Sequence, residues 1–139
     1  MSDGILIVDD NPSIRQLLRS YVETHTPFQV CGEAGNGAEA LKKVQELQPA
    51  LVLIDLTMPG MSGTEAASAL RQLDPRPKII LFTLHADGVN QELASFFGID
   101  AVLSKTESIK TLAAQIIRLL SPPAKPEPAL DPELRKRIN

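Results

Sequence analysis

The feature of this sequence that most constrains its fold is the regular alternation of short apolar runs with segments of helical periodicity. Most of these runs lack polar alternation, which is typical of strands buried on both faces of a parallel sheet. The runs are ILIV (5–8), FQVCGEA (28–34), LVLI (51–54), KIILFT (78–83) and AVL (101–103). We therefore predict five strands, with helices in the intervals between them and after the last.

Apolar residues in the intervals recur at spacings of three and four, as on the buried face of an amphipathic helix. The stripes are Ile14, Leu17, Leu18, Tyr21 and Val22; Leu41, Val44 and Leu47; Ala66, Leu70 and Leu73; Leu93, Phe96 and Phe97; and a wider one of Ile109, Leu112, Ala113, Ile116, Ile117, Leu119 and Leu120. Strand–helix alternation with short, right-handed connections predicts an α/β protein. We expect a flavodoxin-like, doubly wound, five-stranded parallel sheet of strand order 2-1-3-4-5, with helices on both faces.

Composition changes near residue 120, which suggests two regions. Residues 1–120 carry all the predicted strands and helices. Residues 121–139, SPPAKPEPALDPELRKRIN, hold five of the eleven prolines, so their first half should be extended and solvated. We interpret this tail as a linker leading to an output domain that the chain lacks.

Charge and hydropathy exclude several classes of protein. The net charge of −3 implies no global attraction to nucleic acid or membrane, and RKR (135–137) is too short a basic run to indicate DNA contact. Cys31 is the one cysteine, so no internal disulfide can form. No apolar run approaches the ~20 residues of a membrane span, and the N-terminus has no signal-peptide pattern. The sequence predicts a cytoplasmic protein without a membrane partner.

Polar side chains stand at the carboxyl ends of four predicted strands. Asp9 and Asp10 follow the first strand, Asp55 the third, Thr83 ends the fourth, and Lys105 comes just after the fifth. In a parallel sheet these ends share one edge, which is where ligands bind in this architecture. We therefore expect three acids, a hydroxyl and an ammonium to converge there.

Clustered carboxylates repel one another, and a hard cation such as Mg²⁺ reverses that effect. A cation beside Asp55 with Lys105 opposite is also an environment that can receive a phosphoryl group, because both offset charge on the transferred oxygens. Each residue alone has an ordinary explanation: Asp10 or Asn11 can cap the helix that Pro12 begins, and Lys105 can be a solvated lysine. The agreement of four strand ends favours a site.

The motifs VDDN (8–11), LIDLTMPGMSG (53–63), FTLHAD (82–87) and LSKT (103–106) resemble those of the receiver domain of two-component response regulators. VCGEAGNGAEAL (30–41) further resembles receivers attached to LuxR-type helix-turn-helix domains. The resemblance covers about residues 3–120.

The resemblance implies a role for each residue of the cluster. Asp55 would be the phosphoacceptor for a sensor histidine kinase, Thr83 the switch hydroxyl and Lys105 the partner of a phosphate oxygen. The implied Mg²⁺ ligands are Asp9, Asp10, Asp55 and the backbone carbonyl of Thr57. The expected activity is self-phosphorylation and self-dephosphorylation only, with no separate enzymatic turnover.

The resemblance also implies a read-out and partners. Phosphorylation would shift the face of helix 4, strand 5 and helix 5, and would regulate transcription through a DNA-binding domain outside this chain. A homodimer would form through helix 1 and helix 5 or through the helix 4/strand 5/helix 5 face. The wide stripe of helix 5 fits a dimer seam or a plain core helix equally.

The sequence departs from the family pattern at three positions. Val102 stands where many receivers have Tyr, Phe or His, so the aromatic flip that usually accompanies the threonine is missing. Thr106 replaces a frequent Pro after the lysine, which leaves a cis Lys105–Thr106 bond as an open question. Ala50 replaces a frequent Asp, from which we expect little consequence.

The sequence leaves two classes of alternative function: a pseudo-receiver, and a flavodoxin-like ligand binder or hydrolase. A pseudo-receiver would keep the fold and bind partners without phosphorylation, and Val102 motivates that reading. A flavodoxin-like ligand binder would need a phosphate loop rich in Ser, Thr and Gly after strand 1, where this chain has the acidic DDNPS. A hydrolase would need a general acid two residues past Asp55, where Thr57 stands.

Overall fold

The computed structural model describes residues 4–55, 58, 60–83, 91–105 and 109–121. These ranges contain five strands and five helices in strict alternation. They are β1 (Ile5–Val8), α1 (Pro12–His25), β2 (Val30–Ala34), α2 (Gly37–Leu47), β3 (Leu51–Ile54), α3 (Gly63–Leu70), β4 (Lys78–Thr83), α4 (Gln91–Phe96), β5 (Ala101–Ser104) and α5 (Ile109–Leu120). The tail from 122 onward lies outside the described residues, so its interpretation as a linker stays a prediction.

The strands form one parallel sheet in the order β2-β1-β3-β4-β5, which confirms the predicted fold class and strand order. The register aligns the last residues of neighbouring strands: Val8 lies beside Ile54, and Thr83 beside Ser104. Ile54 pairs with Leu81, so β4 runs two residues further than β3 before it ends at Thr83. Because the strands are parallel, the residues that follow them still emerge along a common edge.

Strand boundaries differ from the prediction at β2 and β5. The run FQVCGEA predicts a strand from residue 28, but β2 begins at Val30. The amide of Phe28 donates to the hydroxyl of Thr26 (3.2 Å) and so belongs to the turn after α1. β5 extends one residue beyond AVL to Ser104, which brings Lys105 next to the sheet edge.

Two apolar layers enclose the sheet. One joins sheet residues such as Leu6 and Val52 to α2, α3 and α4. The other joins residues such as Ile7 and Leu53 to α1 and α5. Burial on both faces explains why the strand sequences show no polar alternation.

Among the described residues, five large apolar members of the predicted helical stripes are exposed: Leu17, Leu47, Phe96, Ile109 and Ile117. Leu17 is 58% exposed and Phe96 is 70% exposed. α1 buries Leu18 and Val22, and Leu17 lies one position, or about 100°, around the helix from Leu18. Phe96 packs edge-to-face on Phe97, with ring centroids 5.3 Å apart, and Phe97 contacts the core in its place.

The ends of three helices follow the stop and start signals of the sequence. Asn11 caps α1, its side chain accepting hydrogen bonds from the amides of Ser13 (2.9 Å) and Ile14 (3.3 Å). α2 ends at Leu47, and its cap Gln48 adopts a left-handed conformation just before Pro49. Gly98 adopts a φ of 76° after α4. Because Asn11 is the cap, the side chain of Asp10 is not needed for that role. Among the described helices, none has the length and apolarity of a membrane span.

Candidate functional site

The carboxyl edge of the sheet brings together the three predicted acids. Asp9 and Asp10 follow β1 directly, and Asp55 follows β3. One carboxylate oxygen of each residue lies within 4.8 Å of those of the other two. The amide of Asp55 continues the ladder by donating to the carbonyl of Val8 (3.0 Å), so the pairing of β1 with β3 fixes the spacing of the acids.

Lys105 occupies the position between two of these acids. Its ammonium lies 2.7 Å from Asp9 Oδ2 and 3.3 Å from Asp55 Oδ2. The amide of Lys105 donates to the carbonyl of Thr83 (2.8 Å), so the end of β5 is tied to the end of β4. The sequence predicted that Lys105 lies opposite Asp55. The structure adds Asp9 as a second and closer partner of the Lys105 ammonium.

Burial separates the three acids. Asp9 is 2% exposed and Asp55 is 8% exposed, whereas Asp10 is exposed to solvent. Two negative charges are thus largely withdrawn from water and share one ammonium, and a third stands at the rim. Such a site favours an additional positive charge, because a buried carboxylate must be compensated.

The remaining predicted site residues have different outcomes. Thr83 is fully buried at the end of β4. Val102 pairs with Leu81 and packs, partly buried, against the apolar layer that includes α4. Thr57 and Thr106 lie outside the described residues, so the metal-ligand role of the Thr57 carbonyl and the isomer of the Lys105–Thr106 bond stay untested.

Sequence reasoning missed one residue that contacts the site. Arg15 Nη1 donates to the backbone carbonyl of Asp9 (2.6 Å), and its Nε pairs with Glu33 on β2 (3.2 Å). Helical periodicity places Arg15 on α1, but only the packing of α1 across β1 and β2 shows which groups it reaches. The available signal in the sequence was the spacing of Arg15 and Arg19, which places two arginines one turn apart on the same face of α1.

The donor set fits a hard divalent cation. All three acids offer carboxylate oxygens, which are the ligands that Mg²⁺ and Ca²⁺ take in proteins. The oxygens are close enough together to bind one ion in common. Their partial burial would strengthen that attraction, since the effective dielectric constant falls away from bulk water.

The chain belongs to the response regulator receiver domain family, whose model matches residues 5–117. Among curated proteins it is 31% identical over 138 residues to the response regulator protein VraR of Staphylococcus aureus. That alignment covers 99% of this chain and 66% of VraR, so the chain spans just under two thirds of the length of this relative.

Solved structures agree with this assignment. A LuxR-family DNA-binding response regulator from Staphylococcus aureus is 27% identical with a TM-score of 0.77, over 86% of this chain and 100% of that one. A LuxR-family regulator from Aurantimonas is 28% identical with a TM-score of 0.79, and both chains are fully covered. The predicted similarity to LuxR-type receivers is therefore confirmed.

A third structure was solved with ligands. The response regulator TrrA of Thermotoga maritima, in complex with Mg²⁺ and BeF, is 32% identical with a TM-score of 0.75. The match covers 85% of this chain and 99% of that one.

Proposed function

We propose that this receiver accepts a phosphoryl group on Asp55 from the phosphohistidine of a sensor histidine kinase, in the presence of Mg²⁺. The observation that carries the proposal is the convergence of Asp9, Asp10, Asp55 and Lys105 at one edge of the sheet. The similar receiver TrrA was solved in complex with Mg²⁺ and BeF, which supports Mg²⁺ as the cation of this proposal.

The transfer exchanges one bond to phosphorus for another. A carboxylate oxygen of Asp55 forms a P–O bond while the P–N bond to the kinase histidine breaks, and the imidazole leaves with the electron pair of that bond and gains a proton. Lys105, 3.3 Å from Asp55 Oδ2, is placed to donate to a phosphoryl oxygen. Asp9, Asp10, Asp55 and the Thr57 carbonyl would hold Mg²⁺, which supplies positive charge to the transferred group.

The read-out would pass through β4 and β5 to α4 and α5. Thr83 lies at the end of β4, and Val102 on β5 packs against the layer that contains α4, so a rearrangement of Thr83 can alter that packing. The change would be a shift in population between two packings of this face. Because Val102 has no aromatic ring to change orientation, we expect the shift to use a change in how the aliphatic side chain of Val102 packs against this layer.

Similarity to the relatives supports a proposal for the wider biological role. Regulation of transcription through a DNA-binding domain, a cytoplasmic location and a homodimer through α1/α5 or α4/β5/α5 belong to this proposal. Support comes from the LuxR-family names of similar structures and from the greater length of VraR. We further propose that the chain acts as a signalling phosphoacceptor without separate enzymatic turnover.

Intact-mass measurement after incubation with acetyl phosphate and Mg²⁺ tests the phosphoacceptor assignment. We expect one phosphoryl adduct on the native chain and none on Asp55→Asn. Glu46→Gln, which removes an exposed carboxylate on α2, should still take up the adduct. An unmodified native chain, or an adduct that persists in Asp55→Asn, contradicts the proposal.

A pseudo-receiver is the alternative that Val102 favours. It would retain the fold and bind a partner independently of phosphorylation. In that case Mg²⁺ would leave the amide signals around Asp55 unchanged in ¹⁵N–¹H spectra. Titration with Mg²⁺ at constant ionic strength therefore separates the two functions without any phosphodonor.

A further inference from the structure

Asp9 is held by hydrogen bonds at each of its polar groups. Its amide donates to the carbonyl of Ala34 (3.1 Å), and its Oδ1 accepts from the amide of Asn11 (2.9 Å). Its Oδ2 accepts from Lys105 (2.7 Å), and its carbonyl accepts from Arg15 (2.6 Å). An acid restrained in this way has little freedom to turn, so the groups that restrain it decide its orientation.

Within the part of the chain that the structure describes, Arg15 is the residue that donates to the Asp9 carbonyl, and its side chain joins α1 to the ends of β1 and β2. Its Nη1 contacts the residue after β1, while its Nε lies 3.2 Å from Glu33 Oε1 on β2. The side chain is 20% exposed and that of Glu33 is 29% exposed. Because β2 pairs with β1, with Glu33 beside Ile7, Glu33 is an anchor that moves with the sheet.

The carbonyl that Arg15 holds belongs to the peptide between Asp9 and Asp10. A trans peptide is planar, so fixing its oxygen fixes the plane that joins the two α-carbons. The directions in which the Asp9 and Asp10 side chains leave the backbone depend on that plane. One arginine therefore restrains two of the three acids.

We propose that Arg15 is a positioning residue of the acidic site: bridged to Glu33, it holds the Asp9–Asp10 peptide so that both carboxylates face a common cation. The inference rests on the proposed function for the identity of the cation. The orientation of Asp9 itself can be measured without one. Lysine cannot replace this arginine, because a single ammonium lacks the two separated donors of the guanidinium fork.

Arg19 is a matched control on the same helix. Its Nε pairs with the other oxygen of the same carboxylate, Glu33 Oε2, at 2.8 Å. Its second bond goes to the carbonyl of Val30 (3.5 Å), at the amino end of β2 and so away from the acidic edge. Arg15→Lys and Arg19→Lys both keep the charge and weaken one pairing with Glu33, but only the first alters the contact with Asp9.

The experiment compares these two variants with the native chain by two measurements. The first is the Mn²⁺ dissociation constant, from the electron paramagnetic resonance signal of free Mn²⁺. The second is the position of the Asn11 amide in ¹⁵N–¹H spectra recorded without metal, since that amide donates to Asp9 Oδ1. Lysine at both positions keeps the long-range electrostatics of the site constant.

We expect Arg15→Lys to raise the Mn²⁺ dissociation constant about tenfold, the low end of the effect for residues that orient metal ligands. The Asn11 amide should shift in the metal-free spectrum of this variant. Arg19→Lys should leave both quantities at native values. If the two variants behave alike in both measurements, the positioning role is wrong.

Failure of the proposed function and failure of the positioning role give different results in this experiment. A native chain that binds no Mn²⁺ contradicts the proposed function, while the Asn11 amide still tests the positioning of Asp9. If Arg15→Lys does not fold, Glu33→Ala removes the side chain that anchors Arg15 and leaves both arginines in place. Mn²⁺ affinity and an Asn11 amide at native values in Glu33→Ala would also overturn the role of Arg15.

Discussion

At the scale of single residues, Lys105 supplies the positive charge that compensates two acids of the site. It contacts Asp9 and Asp55, whose side chains are 3% and 11% exposed. Removing one member of a buried pair leaves an uncompensated charge, which costs more than the pair contributes. In a variant without Lys105, both carboxylates would lose the ammonium that they share.

Lys105→Met is therefore expected to lower the free energy of unfolding by about 2–3 kcal/mol in the absence of divalent cations, below the value for fully buried pairs. Urea denaturation at neutral pH measures it. Lys43→Met is the control, because Lys43 pairs with Glu39 at the surface (33% and 41% exposed) and surface pairs contribute about 1 kcal/mol or less. Equal losses in the two variants would refute the special position of Lys105.

At the scale of elements, the start of α2 combines a cap with an ionised side chain. Asn36 accepts from the amide of Glu39 (2.8 Å), and Glu39 Oε2 accepts from the amide of Gly35 (3.1 Å). This hydrogen bond, followed by that with Lys43, lowers the pKa of Glu39 from its ordinary value of 4.5. The ionised form of Glu39 consequently stabilises the folded state.

Glu39→Gln should destabilise the protein by roughly 0.5 kcal/mol at neutral pH, a small value because the side chain is exposed. Because the folded-state pKa is depressed, the contribution is complete above the ordinary pKa and is lost as pH falls through the folded-state value. Urea denaturation from about pH 7 down to about pH 3.5 should show the difference between native and variant closing at the acidic end. A difference that widens on acidification would contradict this origin.

The same helix start is packed closely against the loop before α3. A Cβ added at Gly37 would lie 2.8 Å from Met61 Cβ and 2.9 Å from Met61 Sδ. One added at Gly35 would meet its nearest atom, Arg15 Nη1, at 3.5 Å, an ordinary contact. Gly37 thus permits a close approach between α2 and this loop.

Gly37→Ala is expected to lower the free energy of unfolding by about 1–3 kcal/mol, because overpacking forces neighbouring groups to move. Gly35→Ala should change it by less than about 0.5 kcal/mol, as is usual away from the core. Thermal denaturation of the two variants tests the contrast. A Gly37→Ala variant as stable as Gly35→Ala would show that Met61 yields without cost.

At the scale of the whole molecule, the sequence predicted the strand order and the edge where the acids meet. Both depend on period and on chain connectivity, which are local or topological properties. The exposure of Leu17 was not predicted, because periodicity does not measure the width of the buried face. Arg15 was not predicted either, since its contacts with Asp9 and Glu33 arise only when α1 packs across two strands.

If the acidic edge binds a divalent cation as proposed, the stability of the whole domain depends on the concentration of that cation. A cation that binds the folded chain alone stabilises it by RT ln(1 + [L]/Kd), about 1.4 kcal/mol at ten times the dissociation constant. Mg²⁺ should raise the urea midpoint of the native chain by this mechanism, relative to NaCl of equal ionic strength.

Asp10→Asn should lose most of the increase, because Asp10 is one of the three acids whose oxygens lie within 4.8 Å. Without Mg²⁺ the same variant should be slightly more stable than the native chain, since one repulsion is removed. Glu46→Gln, which removes a carboxylate far along α2, should keep the native response. Equal Mg²⁺ responses in Asp10→Asn and Glu46→Gln would mean that the cation acts on the surface at large and not at this edge of the sheet.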